Sequence, residues 1–179
     1  MKPDKTFIYY YGVLNNFLDA PLMLTFMTYF SKTAIFRKKL KIMIAVIILL
    51  ELIVIAIVGF NIKAAIIVMA PGLLVVLVLS LLFFLHQAKI TVVYQKAAGK
   101  AFIAASLLFA YGGYSFIYVV YYLLKTPYKA DTQIVYYLVT TFSSLVIAAG
   151  IFFERKRVKQ LTELKVAREE LKLFTEDRK

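Results

Sequence analysis

Long runs of apolar residues alternate along this chain with short segments rich in charge. Five of the runs are each about as long as the roughly 20-residue helix that crosses a bilayer. They cover residues 7–30, 42–60, 64–85, 101–124 and 133–153. Backbone groups in lipid must bond within their own segment, so these runs are predicted to be helices. The pattern therefore predicts an all-α, polytopic membrane protein whose residues 1–153 form a five-helix transmembrane bundle.

The character of the chain changes abruptly after Phe153. Residues 154–179 mix basic and acidic side chains, and their apolar residues recur at helical spacing, at Leu161, Leu164, Ala167, Leu171 and Phe174. Since no Pro or Gly separates this stretch from the fifth run, the helix should continue into an amphipathic tail. Two uses of the tail stay open, namely contact with an anionic leaflet and contact with a partner chain or a second copy.

The basic residues are distributed unevenly between the two sides that the runs define. Lys and Arg number five in residues 31–41, three in 86–100 and four in 155–159. The segments that would face the other side, residues 1–6, 61–63 and 125–132, hold only two, one and two basic residues. Basic residues collect on the cytoplasmic side of membrane proteins. We therefore expect a cell-membrane protein with its N-terminus outside and its C-terminal tail in the cytoplasm.

Composition supports a membrane protein and excludes several kinds of site. Hydrophobic residues make up 62% of the 179 residues, against about 45–50% in soluble domains. The chain has no cysteine and a single histidine, His86, so a thiolate or His-rich metal site is excluded and no cofactor is expected. The net charge of +12 follows from the charged loops of a membrane protein, so no nucleic-acid partner is expected.

Three local features refine the predicted bundle. Pro21 interrupts the first run, so residues 7–20 could alternatively lie at the membrane surface. The connection 61–63 is short enough to make the second and third runs an antiparallel hairpin. Residues 125–132 contain Pro127 and Asp131 and are predicted to form an external turn.

Two acidic residues lie near the middle of apolar runs, Asp19 in the first and Glu51 in the second. A charged side chain at this depth costs about 2.5–3.5 kcal/mol on insertion scales and usually marks a functional site. Asn15 and Asn16 precede Asp19 by one helical turn and lie near the same face. A carboxyl so placed suits a protonation switch or a bound cation.

The fourth and fifth runs also carry polar residues near their centres. The candidates for a shared polar pocket are Tyr111, Tyr114 and Ser115 in the fourth run and Thr140 and Ser144 in the fifth. Hydroxyl groups also bond helices to one another without any further function. Bonding between helices is therefore the alternative role for the hydroxyls. It is a weaker alternative for Asp19 and Glu51, because helix packing rarely needs an acid.

No motif of a hydrolase, metalloprotease or nucleotide-binding enzyme occurs, so we expect a protein that is not an enzyme. The first hypothesis is a small transport or channel protein that binds a proton or cation at the mid-membrane acids, as a homo-oligomer. The second is a membrane ligand sensor that signals through the helix continuing the fifth run. The third is a membrane scaffold or assembly subunit that docks a partner membrane protein through residues 154–179.

Overall fold

The computed structural model describes residues 5–31, 33–94, 98–124 and 129–176, and within these ranges every regular element is helical. Five α-helices follow one another along the chain, and a π-helical turn at Val119–Leu123 extends the fourth. Their bounds are α1 Lys5–Phe30, α2 Ala34–Val58, α3 Ile62–Tyr94, α4 Ala98–Tyr118 and α5 Lys129–Glu176. The all-helical prediction is confirmed.

Four of the five helices are long and apolar enough to cross a membrane, which indicates a membrane location. They are the segments Ala34–Val58, Ile62–Val93, Ala98–Leu123 and Gln133–Arg168. Helix α1 is not among these four within the described residues. It is nevertheless unbroken over 26 residues, with Pro21 inside it. Its apolar run is interrupted by two amides and a carboxyl, at Asn15, Asn16 and Asp19.

The helices extend further than the apolar runs, so several predicted connections are shorter than expected. Helix α3 continues to Tyr94 and α4 begins at Ala98, which leaves little of the predicted loop 86–100. The predicted loop 31–41 is likewise mostly helical, since α2 begins at Ala34. Charged residues do not end a helix, because a helix that leaves the lipid can continue in water.

The predicted turn at 125–132 is wrong in its second half, because α5 begins at Lys129. Its first half, with Pro127, lies outside the described residues, as do Lys32 and Lys96 of the basic segments. The predicted continuation of the fifth helix into the tail is confirmed by the single 48-residue helix α5.

The chain forms two compact units. Unit 1 comprises residues 1–79 and 111–136, and unit 2 comprises residues 80–110 and 137–179. These units do not follow the predicted division into a bundle and a tail at residue 154, which stays a prediction.

Unit 1 is built around the packing of α1 on α2 and on the first half of α3. Its buried cluster consists of Val13, Phe17, Ala64, Ala65 and Val68, and side chains of α2 such as Leu50 and Val54 pack against it. The buried residues of α2 are Leu40, Ile47 and Glu51, which recur at helical spacing on one face.

The short connection between α2 and α3 is fixed by side-chain hydrogen bonds. The Asn61 amide donates to the Val58 carbonyl at 2.7 Å, and its Oδ1 accepts from the Ala64 backbone N–H at 3.0 Å. The Tyr9 hydroxyl of α1 accepts from the Ile62 N–H at 3.2 Å. One side chain thus closes both helix ends, which accounts for so short a connection.

Unit 2 contains a close approach between α4 and α5 at two glycines. A Cβ added to Gly99 would lie 2.6 Å from the Glu154 backbone nitrogen and 2.7 Å from the Gly150 carbonyl oxygen. A Cβ added to Gly150 would lie 2.7 Å from Cγ1 of Ile103. Small residues permit such approach between membrane helices, and it maximises van der Waals contact.

We expect Gly99→Ala to lower the free energy of unfolding by about 1–3 kcal/mol, because the new methyl group would overlap backbone atoms that cannot move aside cheaply. Reversible unfolding in detergent would measure this. Gly112→Ala on the same helix is the matched control, since its added Cβ meets no side chain and no other helix of the described residues within 4 Å. Equal losses in both variants would refute a steric role for Gly99.

Candidate functional site

A hydrogen bond joins the acidic residue of α1 to a tyrosine of α4. The Tyr111 hydroxyl donates to Oδ1 of Asp19 at 3.1 Å. Tyr111 is 1% exposed and Asp19 is half-buried, and both belong to unit 1. This bond gives one oxygen of the Asp19 carboxyl a donor. Two residues proposed separately from the sequence are therefore brought together.

The backbone near Asp19 is shaped by two prolines. Pro21 has no N–H, so the Phe17 carbonyl lacks its usual helical donor, and Pro71 deprives the Ile67 carbonyl of α3 in the same way. The Thr25 hydroxyl donates to the Pro21 carbonyl at 2.7 Å. Unbonded carbonyl oxygens within an apolar helix are available to a polar partner.

A glycine beside Pro71 allows α3 to approach α1 next to Asp19. A Cβ added to Gly72 would lie 3.1 Å from Cβ of Ala20, the neighbour of Asp19. Ala20 and Gly72 are both buried. The two prolines therefore flank a tight contact between α1 and α3, and this contact fixes the backbone that carries Asp19.

Tyrosine rings extend the site away from Asp19. The ring of Tyr111 meets that of Tyr114 edge-on, with centroids 5.7 Å apart. Tyr114 in turn lies 5.5 Å from Tyr136 of α5. Sequence reasoning selected Tyr111 and Tyr114 but missed Tyr136, which it assigned to no site although it lies within the fifth run.

Glu51 is the second acid of unit 1, and its environment differs from that of Asp19. Glu51 is 7% exposed and lies on the buried face of α2. Its Oε1 is buried and has no hydrogen-bond partner. Among the described residues, no basic side chain forms an ion pair with Glu51 and no hydrogen bond joins it to Asp19. The two acids lie on packed helices but have separate surroundings.

The remaining predicted residues of unit 1 show varied environments. The Asn16 amide donates to the Gly12 carbonyl at 2.9 Å, a bond within α1. Asn15 is exposed, so its amide points away from the buried face of α1. The Ser115 hydroxyl oxygen is buried and has no hydrogen-bond partner.

Two predicted residues belong to unit 2 instead. Thr140 and Ser144 lie one turn apart on α5, and the Ser144 hydroxyl donates to the Thr140 carbonyl at 2.8 Å. The nine predicted site residues are therefore distributed over both units. This bond lies within α5 and joins no two helices, so it tests neither the predicted polar pocket nor the predicted bonding between helices.

Unit 2 also contains four buried polar residues that are not among the nine predicted site residues. They are Ser80, Gln87, Ser106 and Ser143, each at most 4% exposed. The Ser106 hydroxyl donates to the Ser143 carbonyl at 2.6 Å, whereas Oε1 of Gln87 and the hydroxyl oxygens of Ser80 and Ser143 have no hydrogen-bond partner. Ser80 and Gln87 are seven residues apart and share a helix face, which was the available signal.

Over the described ranges, no cluster of three or more His, Asp or Glu residues could hold a metal ion. Searches for a matching protein family, curated protein or solved structure give no match for this chain.

We expect Tyr111→Phe to lower the free energy of unfolding by about 1 kcal/mol, because the variant lacks the hydroxyl that donates to the half-buried carboxyl of Asp19. Unfolding in detergent would measure the loss. Tyr11→Phe is the control, since Tyr11 is exposed and its ring stacks on that of Phe7. An unchanged stability in Tyr111→Phe would contradict a contribution from this bond.

Proposed function

We propose that this protein is a small membrane transport or channel protein that binds a proton or a small cation at Glu51 and Asp19. The observation that carries this proposal is Glu51, a carboxyl near the middle of an apolar helix, almost wholly buried and with one oxygen that accepts no hydrogen bond. In the proposed orientation the tail lies in the cytoplasm.

The energetic argument favours a functional acid over a packing residue. A carboxyl near the middle of a membrane helix is expensive, and a buried oxygen without a donor adds about 1–3 kcal/mol. Apolar residues fill the other buried positions of α2 at lower cost. A proton or cation arriving at Glu51 would remove both penalties, and such a ligand is what transport requires.

Asp19 would supply the second station of the site. The bond from Tyr111 holds Oδ1 of Asp19 in place. No hydrogen bond joins Asp19 to Glu51 among the described residues, so Oδ2 is not engaged by the other acid. The carbonyls freed by Pro21 and Pro71 would offer further oxygen ligands on α1 and α3. Five helices are few for a complete pore, so the proposed assembly is a homo-oligomer.

The deciding experiment is proton or cation flux into liposomes containing the purified protein. We expect flux from the parent and none from Glu51→Gln or Asp19→Asn, because neither amide can take up a proton or neutralise a cation. Glu163→Gln, on the exposed face of α5, is the matched control and should retain full flux. Absence of flux from the parent would refute transport. Circular dichroism and gel filtration would establish that all variants are folded.

A second candidate function is a membrane sensor, and the observation that favours it is the continuity of α5. This single helix begins at Lys129 and ends at Glu176, so it includes both the apolar segment and the charged tail. Movement of the apolar segment would therefore be transmitted to the tail without an intervening joint.

The absence of cysteine allows a direct test of the sensor function. A spin label at Gln160→Cys, an exposed position on α5, would report motion of the tail as the pH is changed. We expect a change in label mobility that disappears when Glu51→Gln is added, because the acid that takes up the proton is gone. A response identical with and without Glu51 would contradict coupling between the acid and the tail.

A further inference from the structure

Basic side chains are concentrated where α5 leaves its apolar segment. Arg155, Lys156, Arg157 and Lys159, here called the basic collar, occupy four of five consecutive positions. A helix turns about 100° per residue, so their side chains point over more than half of its circumference. Arg155, Lys156 and Lys159 are exposed, and Arg157 is partly buried. Such an arrangement suits a partner that surrounds the helix more than one that docks on a single face.

Helix α4 adds a further cation beside the collar. Lys100 Nζ lies 3.8 Å from Oε1 of Glu154, and Arg157 Nη1 lies 3.6 Å from Oε2 of the same residue. The neighbouring Gly99 packs against the Glu154 backbone, which holds the first turn of α4 at this level of α5. Two of the five cations pair with Glu154, and the five together give this part of unit 2 an excess of positive charge.

Exposed apolar side chains lie immediately before these cations. Ile151, Phe152 and Phe153 are 39%, 67% and 46% exposed. The ring of Phe153 stacks on that of Phe102 of α4, with centroids 5.6 Å apart, and Phe102 is itself exposed. The surface is thus apolar on one side of a narrow boundary and cationic on the other.

We infer that the basic collar and Lys100 bind the phosphate groups of anionic phospholipids, with the acyl chains lying over Phe102, Phe152 and Phe153. The cations complement the negative charge of the lipid headgroup, and the exposed aromatic rings offer an apolar surface to the acyl chains. An acidic protein or a nucleic acid would satisfy the cations but would leave the rings uncovered. This inference does not depend on the proposed transport function.

The test uses the full chain reconstituted in phosphatidylcholine vesicles that contain a trace of spin-labelled lipid. The fraction of label immobilised by the protein is compared for phosphatidylglycerol and phosphatidylcholine. We expect the parent to prefer phosphatidylglycerol and the preference to weaken at high salt, because salt screens charge. The double variant Lys156→Gln with Lys159→Gln should reduce the preference for phosphatidylglycerol. At low ionic strength, each charge removed should lower it by up to about fivefold.

Lys165→Gln with Arg168→Gln is the matched control, because it removes the same charge from exposed positions further along the same helix. This pair should keep the preference of the parent. Equal immobilisation of both lipids by the parent would overturn the inference and direct attention to a protein or nucleic-acid partner. Equal losses in the two double variants would overturn the assignment to the collar. All four positions are exposed, so both double variants should fold.

Discussion

The absence of water from the bilayer core is the constraint on which the rest of this structure depends. It requires backbone groups to bond within their own helix, and it removes most of the hydrophobic force that would otherwise hold helices together. Close contact and polar bonds must supply that cohesion instead. Unit 2 shows both, in the approach of Gly99 to Gly150 and in the bond from Ser106 to Ser143. Unit 1 adds the bond between Tyr111 and Asp19.

The same constraint explains which parts of the fold could be predicted from the sequence. Length and hydropathy identify helices because lipid permits little else, and the short α2–α3 connection follows from the spacing of two apolar runs. Helix ends were predicted less well, since α3 continues past Lys89, and α4 and α5 begin before their apolar runs. Whether α1 crosses the membrane is harder to predict, because the polar residues that make it a candidate for a site also lower its hydropathy.

The two acids could be identified from the sequence, but their hydrogen-bond partners could not. A carboxyl within an apolar run is visible in any sequence, so Asp19 and Glu51 are found easily. That Tyr111 would bond to Asp19 and leave Glu51 without a donor depends on helix packing, which no local pattern records. Ser80 and Gln87 escaped notice because neutral polar residues are common in membrane helices. The structure gives the two acids different circumstances, one partnered and one not, although the sequence treats them alike.

The unbroken course of α5 has a mechanical consequence. A helix rises about 1.5 Å per residue, so the part beyond Glu154 reaches about 33 Å from that residue to its end at Glu176. Such a rod acts as a lever arm whose fulcrum is the contact of Gly99 with the Glu154 backbone. A tilt of about 10° there would displace the far end by about 6 Å over that length. A small tilt of the apolar segment would thus become a large movement at the tip.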